Sequence, residues 1–271
     1  MTDLELLRRI DAYLDAAPRT ACRTEAVGPF TLFVNDGPGW RYYARATPGA
    51  VAFTGEDVAR LRARQVELGL PEAIEWVRDL APDLGAAAEA GGMRVVGHPL
   101  LHLPAPAAFA PVPPPADAAI RVVGASDDLA RIGAVAEIAF ANPGTGIGTA
   151  STKDLDAMAR EADPAVLAFV RDRIASAVTI QVAAFVDGDP VATGAHQPVG
   201  DATEIVGVAC LPALRRRGLA AAVTSLLVRD ALSRGVATVC MSADDADVER
   251  LYRRLGFTTV GAVGAAEPRR R

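Results

Sequence analysis

The sequence predicts an α/β fold in which a mixed central sheet is flanked by helices, and it predicts that this arrangement occurs twice. Short apolar runs alternate with amphipathic helical stretches along the chain. A proline-rich segment separates two halves, and a strand–helix–strand order recurs at a constant spacing. With 271 residues, 51% of them hydrophobic and 23% charged, the chain is long enough for two globular domains.

Composition excludes several classes of function. The net charge of −5 argues against general nucleic-acid binding, which needs a basic face. No apolar run approaches the roughly 18 residues of a membrane helix, and the acidic amphipathic N-terminus is unlike a signal peptide. Three widely spaced cysteines, Cys22, Cys210 and Cys240, suggest reduced thiols. We therefore expect a cytoplasmic protein without nucleic-acid or membrane partners, and the sequence leaves a homodimer open.

The first predicted domain covers residues 1–102. After an N-terminal helix, residues 28–47 alternate apolar and polar side chains on both sides of a turn, as a β-hairpin does. Thr54 and Asp57 form a capping box at the start of the next helix. A strand, a short helix and a final strand follow, over residues 71–79, 81–92 and 93–103.

Residues 103–118 predict an extended, semi-rigid linker. Proline fixes φ and lacks a backbone donor, so this segment, "LPAPAAFAPVPPPADA", cannot form a helix or a central strand. We place the domain boundary near Pro114.

The second predicted domain covers residues 119–271. Its first strand is followed by a helix that Ser126 would cap, by a glycine-rich loop, and by a helical stretch that Pro164 interrupts. Three strands come next, and "VDGD" at residues 186–189 predicts a hairpin turn between the first two. A long helix, a buried strand, another helix and a last strand follow, over residues 217–235, 236–243, 245–256 and 257–263.

The two halves align without a gap at an offset of 164 residues. Residues 83–97 match residues 247–261 at an aspartate, two glycines and a valine. Four identities in 15 positions are weak alone, but the same order of elements surrounds them. The alignment therefore suggests an internal duplication.

The sequence "LRRRGLAAAV", residues 214–223, places three arginines and a glycine at the start of the long helix. The first N–H groups of a helix lack internal partners and carry partial positive charge. Gly218 has no Cβ, so a ligand can approach its backbone closely. These features predict an anion site suited to a pyrophosphate. A solvated basic helix start is the alternative.

"RRRGLA" also fits R/Q-x-x-G-x-G/A, and its surroundings resemble the GNAT superfamily of N-acetyltransferases over residues 119–264. "TEIVGVACLP" is similar to that family's fourth strand, and "DDADVERLYRRLGF" to its N-x-x-A-x-x-L-Y-x-x-x-G-F segment. Asp245 and Val248 depart from that segment. The resemblance implies an acyl-CoA N-acyltransferase-like fold, with acetyl-CoA as co-substrate and the amine of a small molecule or protein as acceptor.

The resemblance implies roles for particular residues. The strand backbone would bind the pantetheine arm and the loop would bind the pyrophosphate, through Val208, Ala209, Cys210, Arg215, Arg216, Arg217, Gly218, Leu219, Ala220 and Ala221. Gly207 lies where a β-bulge would open a slot beside the strand. The glycine-rich residues 144–148 would form a loop over the acceptor site.

Two side chains are candidates for proton transfer. Strand alternation places Glu204 with Val206 and Val208 on one face, where its carboxylate could be the general base; a solvent-facing glutamate is the alternative. The resemblance implies that Tyr252 is the general acid; a packing tyrosine is the alternative. Cys210 is disfavoured as a nucleophile because no histidine lies near it in sequence.

The first half lacks the phosphate-loop motif and has Ala88 where the second has Tyr252, so we expect a degenerate copy. No metal is expected, because His98 and His102 would be about 13 Å apart on a strand and could not share a metal ion. Both histidines are expected to be surface or edge residues. His196 is expected to be structural. Two rival functions stay open, a non-catalytic acyl-CoA sensor and a transferase for a longer acyl-CoA.

Overall fold

The computed structural model describes residues 3–269, which divide into two compact units. The first unit comprises the chain up to Leu101, Ser242–Asp245 and the residues from Thr259 onward. The second comprises His102–Met241 and Ala246–Thr258. Among residues 3–269, no helix is long and apolar enough to cross a membrane.

The first unit is a mixed sheet covered by helices. Its elements in chain order are α1 (Asp3–Ala16), β1 (Arg23–Val27), β2 (Phe30–Val34), β3 (Ala44–Ala46), α2 (Gly55–Glu67), β4 (Ile74–Val77), α3 (Leu84–Ala90) and β5 (Met93–His102). Strand β2 is antiparallel to both of its neighbours, β1 and β3, whereas β3 and β4 are parallel. The pairing of β2 with β3 confirms the predicted hairpin. Strand β1 was not predicted, because its residues are mostly exposed and show little apolar alternation.

The second unit has the same kind of sheet. Its elements are β6 (Ala119–Val122), α4 (Leu129–Ala141), α5 (Leu155–Arg160), α6 (Pro164–Ala175), β7 (Ile180–Val186), β8 (Asp189–His196), β9 (Ala202–Cys210), α7 (Leu219–Ser233), β10 (Thr238–Ser242) and α8 (Ala246–Arg254). The strand order is β10-β9-β8-β7-β6, with β9 and β10 parallel and the other pairs antiparallel. The mixed sheet is therefore confirmed.

The last strand, β11 (Thr258–Pro268), belongs to the sheet of the first unit, although the sequence reading assigns it to the second domain. It lies antiparallel to β4 and between β4 and β5. Gly264 leaves room for the Trp76 ring, since a Cβ there would lie 2.5 Å from it. Ala266 is fully buried in the same apolar cluster as Trp76. Packing against Trp76 thus fixes the strand's place, which sequence order could not reveal.

The equivalent elements of the two copies keep the offset of 164 residues. Helices α2 and α7 begin at Gly55 and Leu219, and strands β4 and β10 begin at Ile74 and Thr238. Gly92 and Gly256, which follow α3 and α8, both have positive φ, of 82° and 99°. The offset found in one short segment therefore extends to most of the helices and strands around it.

Two faces of the second sheet carry different helices. Ala183 of β7 packs in an apolar cluster with Leu129 and Ile132 of α4. On the opposite face, a Cβ at Gly194 of β8 would lie 3.1 Å from Leu227 of α7. The sheet is therefore covered by α4 on one face and by α7 on the other.

Local signals in this unit are mostly as predicted. Asp187 and Gly188 form the hairpin turn between β7 and β8, with φ of 52° and 87°. Pro164 begins α6, so the predicted interruption is confirmed. The predicted cap of α4 at Ser126 is wrong. Asp128 caps the helix, because its carboxylate accepts a hydrogen bond from the Arg131 N–H.

The proline-rich segment packs on the second unit. The Ala110 N–H donates to the Leu255 carbonyl at the end of α8, and the Val112 N–H donates to Ser225 Oγ on α7. Asp117 then pairs with Arg217. The backbone donors that the prolines leave thus find partners on two helices, which holds the segment in place.

Candidate active site

A β-bulge interrupts β9 at Gly207. The register of β8 and β9 shifts between Thr193 and Ala195, so that Gly194 alone faces two residues of β9. Gly207 has φ +62°, a conformation that glycine adopts without strain. The bulge predicted from sequence is therefore confirmed at this residue.

Beyond the bulge, β9 separates from β10. The parallel register joins Thr238–Cys240 to Ala202–Glu204 and ends there, while β9 continues to Cys210. The backbone groups of Val208, Ala209 and Cys210 therefore lie outside the β9–β10 ladder. The end of the ladder marks a candidate slot between the two strands, in which an extended arm could pair with the edge of β9.

The bulge also changes which side chains share a face. Val208 contacts the α7 side of the sheet, because its Cγ2 lies 3.1 Å from a Cβ built at Gly194. Thr203 faces α7 as well, since it is hydrogen-bonded to His196. Glu204, the next residue, faces the opposite side and is half-buried. The predicted common face of Glu204 and Val208 is therefore wrong, because strict alternation ends at a bulge.

Helix α7 begins beside this slot without a side-chain cap. Its N-cap is Gly218, at φ +82°, and no heavy atom lies within 4 Å of a Cβ built there. In the first copy the equivalent cap is Thr54, whose hydroxyl accepts from the Asp57 N–H. The first-turn donors of α7, around Leu219, Ala220 and Ala221, are thus open to an anionic ligand, whereas those of α2 are partly satisfied within the chain.

The three arginines before Gly218 have different surroundings. Arg216 is exposed and has φ +67°, and Arg217 is paired with Asp117. Arg215 donates to backbone carbonyls, including that of Asn142 at 2.6 Å. Arg216 and Arg217 are therefore placed to attract a phosphate, while most donors of Arg215 are already used.

Cys210 lies at the end of β9 with its thiol mostly buried. Burial raises the pKa of the thiol to about 11, although Arg215 and Arg217 act in the opposite direction. The thiol is therefore predominantly neutral at pH 7. A covalent acyl-cysteine route is disfavoured, because the thiolate is the nucleophilic form.

Tyr252 is on α8, the helix that follows β10 and flanks the other side of the slot. Its side chain is 6% exposed and packs edge-to-face on Phe257, with ring centroids 6.4 Å apart. Burial raises the pKa of the phenol above its usual value, so it stays protonated at neutral pH. The group can therefore donate a proton but not accept one from a neutral amine.

His196 has a structural arrangement. It is fully buried on β8, with Nδ1 3.1 Å from Thr203 Oγ1 and Nε2 2.9 Å from Asp230 Oδ1 on α7. Burial is the largest influence on the pKa of the ring and lowers it. This contact joins β8, β9 and α7, as expected of a structural histidine. The prediction that His102 is a surface or edge residue is wrong, since its side chain is buried.

Sequence reasoning missed two groups near the phosphate loop. Asp117 lies in the proline-rich segment, 100 residues before its partner Arg217. The glycines of residues 142–150 predict a loop. No pattern in the sequence predicts that this loop contacts Pro212, Ala213 and Arg215.

Residues 144–257, which contain this candidate site, match the sequence model of the acetyltransferase (GNAT) family. The matched region contains β9, the uncapped start of α7 and Tyr252. No curated protein matches the chain.

Solved structures share the whole architecture. A GCN5-related N-acetyltransferase from Kribbella flavida is 24% identical, with a TM-score of 0.71 and coverage of 97% of this chain and 96% of that chain. A GCN5-related N-acetyltransferase-like protein from Streptococcus suis is 16% identical, with a TM-score of 0.57 and coverage of 99% and 100%. A putative GNAT-family acetyltransferase from Novosphingobium aromaticivorans is 20% identical, with a TM-score of 0.54 and coverage of 98% and 97%. These similarities establish a shared fold across both units.

Proposed function

We propose, from the match of residues 144–257 to the acetyltransferase (GNAT) family model, that this chain is an acyltransferase and that it transfers an acetyl group from acetyl-CoA to a primary amine. One observation carries the finer proposal: an uncapped, glycine-initiated helix begins beside a strand that has separated from its neighbour. The uncapped start of the helix suits a pyrophosphate, and the separated edge of the strand suits the pantetheine arm of CoA.

In the proposed complex, acetyl-CoA lies in the slot between β9 and β10. The backbone of Val208–Cys210 pairs with its pantetheine arm, and the first turn of α7 binds its pyrophosphate. Arg216 and Arg217 add positive charge on the exposed side. The exposed, unobstructed backbone at Gly218 supports this pose, because the phosphate must approach within hydrogen-bond distance.

We propose direct attack within a ternary complex. The amine nitrogen attacks the thioester carbonyl carbon, and Glu204 takes the amine proton. The carbon–sulfur bond then breaks, and Tyr252 donates its proton to the leaving thiolate. The raised pKa of Cys210 supports this scheme, since it disfavours an acyl-cysteine, and burial keeps the Tyr252 phenol protonated before the thiolate leaves.

A two-step experiment tests the proposal. First, the melting temperature is measured with acetyl-CoA, free CoA and ATP; ATP is the control for nonspecific polyphosphate binding. A ligand at 100 times its Kd stabilises the folded state by about 2.7 kcal/mol. Second, thiol release from acetyl-CoA is followed with a panel of primary amines and peptides, and acyl-CoAs of increasing chain length are compared.

Stabilisation by acetyl-CoA followed by amine-dependent thiol release is the expected result. Stabilisation without thiol release from any acceptor would favour the acyl-CoA sensor. Faster release from a longer acyl-CoA would favour the second enzymatic rival. No stabilisation by either CoA compound would contradict the proposed site itself.

A further inference from the structure

The guanidinium of Arg215 is committed to backbone carbonyls of its own chain. Its Nε donates to the Cys210 carbonyl at 3.4 Å, and Nη1 donates to that of Gly146 at 3.3 Å. Its Nη2 donates to the carbonyls of Asn142 at 2.6 Å and Ala139 at 3.2 Å. Arginine has five N–H donors, and these four bonds leave one for a ligand. The side chain is therefore directed away from a role as a principal phosphate ligand.

Three of these carbonyl partners lie at the end of α4 or in residues 142–150, which we call the acceptor loop, and the fourth, Cys210, ends β9. Two backbone hydrogen bonds hold the same loop to the segment after β9: the Gly148 N–H donates to the Pro212 carbonyl, and the Ala213 N–H donates to that of Ala150. A Cβ at Gly148 would lie 2.9 Å from Pro212 Cβ, so this close approach requires glycine.

The acceptor loop also contacts the far side of the slot. Thr145 Oγ1 lies 3.3 Å from Asp247 Oδ2, in the first turn of α8. Helix α8 carries Tyr252, and α7 begins just after Arg215. The acceptor loop therefore extends from the end of β9, which precedes α7, to the start of α8. The slot lies between these two elements. Its attachment is strong at Arg215 and is a single long hydrogen bond at Thr145.

We propose that Arg215 is a positioning residue that holds the acceptor loop across the open end of the slot, and that it acts on the bound amine rather than on CoA. The proposal rests on the proposed function for the identity of the two substrates. A planar guanidinium can bridge the carbonyls of Asn142 and Gly146 in the acceptor loop and that of Ala139 in α4, whereas a lysine ammonium cannot satisfy that pattern. The loop's three glycines, at positions 144, 146 and 148, give it little intrinsic order, so an external anchor determines its position.

The test compares substitutions that separate loop order from CoA binding. In Arg215→Lys the charge is kept but the bridge is lost. We expect hydrogen–deuterium exchange in peptides covering residues 142–151 to become about 10-fold faster. The Kd for acetyl-CoA should stay within about 2-fold. The KM should rise about 10-fold for the amine that gives the fastest thiol release with the unmodified protein, with a smaller change in kcat.

Two further variants complete the comparison. Arg216→Gln should show the opposite pattern, with acetyl-CoA binding weakened about 3- to 10-fold and loop exchange unchanged. Arg171→Lys is the matched control for losing an arginine–carbonyl bond, because Arg171 on α6 donates to the carbonyl of Ala125, which precedes α4 and is not part of the loop. It should leave all three measurements unchanged.

The proposal is overturned if Arg215→Lys weakens acetyl-CoA binding about 10-fold while loop exchange is unchanged, since Arg215 would then be a phosphate ligand. It is also overturned if neither loop exchange nor the amine KM changes. If Arg215→Lys does not fold, Thr145→Val removes the side-chain hydrogen bond to Asp247 and should speed loop exchange without changing the Kd for acetyl-CoA. Failure of the unmodified protein to bind acetyl-CoA would contradict the proposed function alone, because the exchange comparison needs no ligand.

Discussion

At the scale of single residues, the site combines groups whose surroundings fix their protonation. Tyr252 is buried and protonated, and Cys210 is a buried thiol that stays neutral. Glu204 is half-buried on the face opposite α7. In the proposed mechanism Glu204 would accept the amine proton and Tyr252 would donate one to the thiolate, as transfer between an amine and a thioester requires.

Tyr252→Phe should reduce turnover about 10²- to 10⁴-fold, the usual contribution of a positioned acid, and leave acetyl-CoA affinity nearly unchanged. The ring would still pack on Phe257, so only the hydroxyl is lost. Its partner sulfur becomes negative as the thiolate leaves, so the loss appears in kcat. Steady-state kinetics and calorimetry check this. Turnover at the unmodified rate would make the tyrosine structural.

Glu204→Gln should lower the rate most at low pH. Glutamine keeps the shape of the side chain but cannot accept a proton. The difference in rate between the unmodified protein and the variant should become smaller towards pH 10, because an alkylamine then loses its proton to water without a protein base. The measurement is kcat/KM for the best amine between pH 6 and 10, with circular dichroism to verify folding. If the plots of kcat/KM against pH are parallel for the two proteins, another group accepts the amine proton.

At the scale of secondary-structure elements, helix α7 has a glycine with open surroundings at each end. Gly218 precedes it at φ +82° and Gly235 follows it at φ +77°, and neither has an atom within 4 Å of a built Cβ. A valine at either site therefore meets the same backbone strain and no steric clash. The pair allows a ligand effect to be separated from a stability effect.

Gly218→Val should weaken acetyl-CoA binding at least 10-fold, because a branched side chain blocks the pyrophosphate from the helix N–H groups. Gly235→Val should cost similar stability, about 1–2 kcal/mol for a left-handed non-glycine residue, without affecting binding. Urea unfolding and calorimetry on both variants check this. Equal affinities for the two variants would contradict the phosphate-loop assignment.

The proline-rich segment supplies a counter-charge to the phosphate loop. Asp117 pairs with Arg217, with side chains 56% and 35% exposed, so the pair itself adds little stability. A carboxylate there competes with a phosphate for the arginine and repels it. The segment is therefore part of the electrostatic environment of the site.

Asp117→Asn should tighten acetyl-CoA binding about 2- to 5-fold, with a larger effect at low ionic strength, where screening is weaker. Asp36→Asn is the control, because Asp36 forms a similarly exposed pair with Arg23 in the first unit. Calorimetry at two salt concentrations checks both variants. Unchanged or weaker binding by the Asp117 variant would show that the pair supports the loop instead.

At the scale of the whole molecule, the two copies of the fold differ where a ligand would bind. Strand β9 has nine residues and continues past its pairing with β10, whereas β3 has three. Helix α2 has a capping box where α7 has glycine, and Ala88 replaces the tyrosine. We therefore expect the first copy to bind no CoA.

One chain should accordingly bind one acetyl-CoA. Isothermal calorimetry should give a stoichiometry of one acetyl-CoA per chain. In Gly218→Val, binding should be too weak to detect at accessible protein and ligand concentrations. Thr54→Gly removes the cap of the first copy at little cost in stability and should keep the stoichiometry at one. Two equivalent sites per chain would mean that the first copy has kept its function.

Local chemistry determined much of this protein from sequence alone. The Asp187–Gly188 turn, the Thr54 capping box and the order of the strands and helices other than β1 depend on neighbouring residues, so the sequence predicts them. The motif around Gly218 and its flanking segments gave the resemblance to the GNAT superfamily, which implied the Gly207 bulge.

Only the tertiary structure decided where distant segments meet. It placed β11 against Trp76 in the first unit, turned Val208 away from Glu204, brought Asp117 to Arg217 and directed Arg215 to the acceptor loop. Each of these depends on packing or hydrogen bonding between residues far apart in the chain, or on a shift in strand register. Such contacts are fixed by the burial of apolar surface and the satisfaction of polar groups in the folded molecule, which no local pattern encodes.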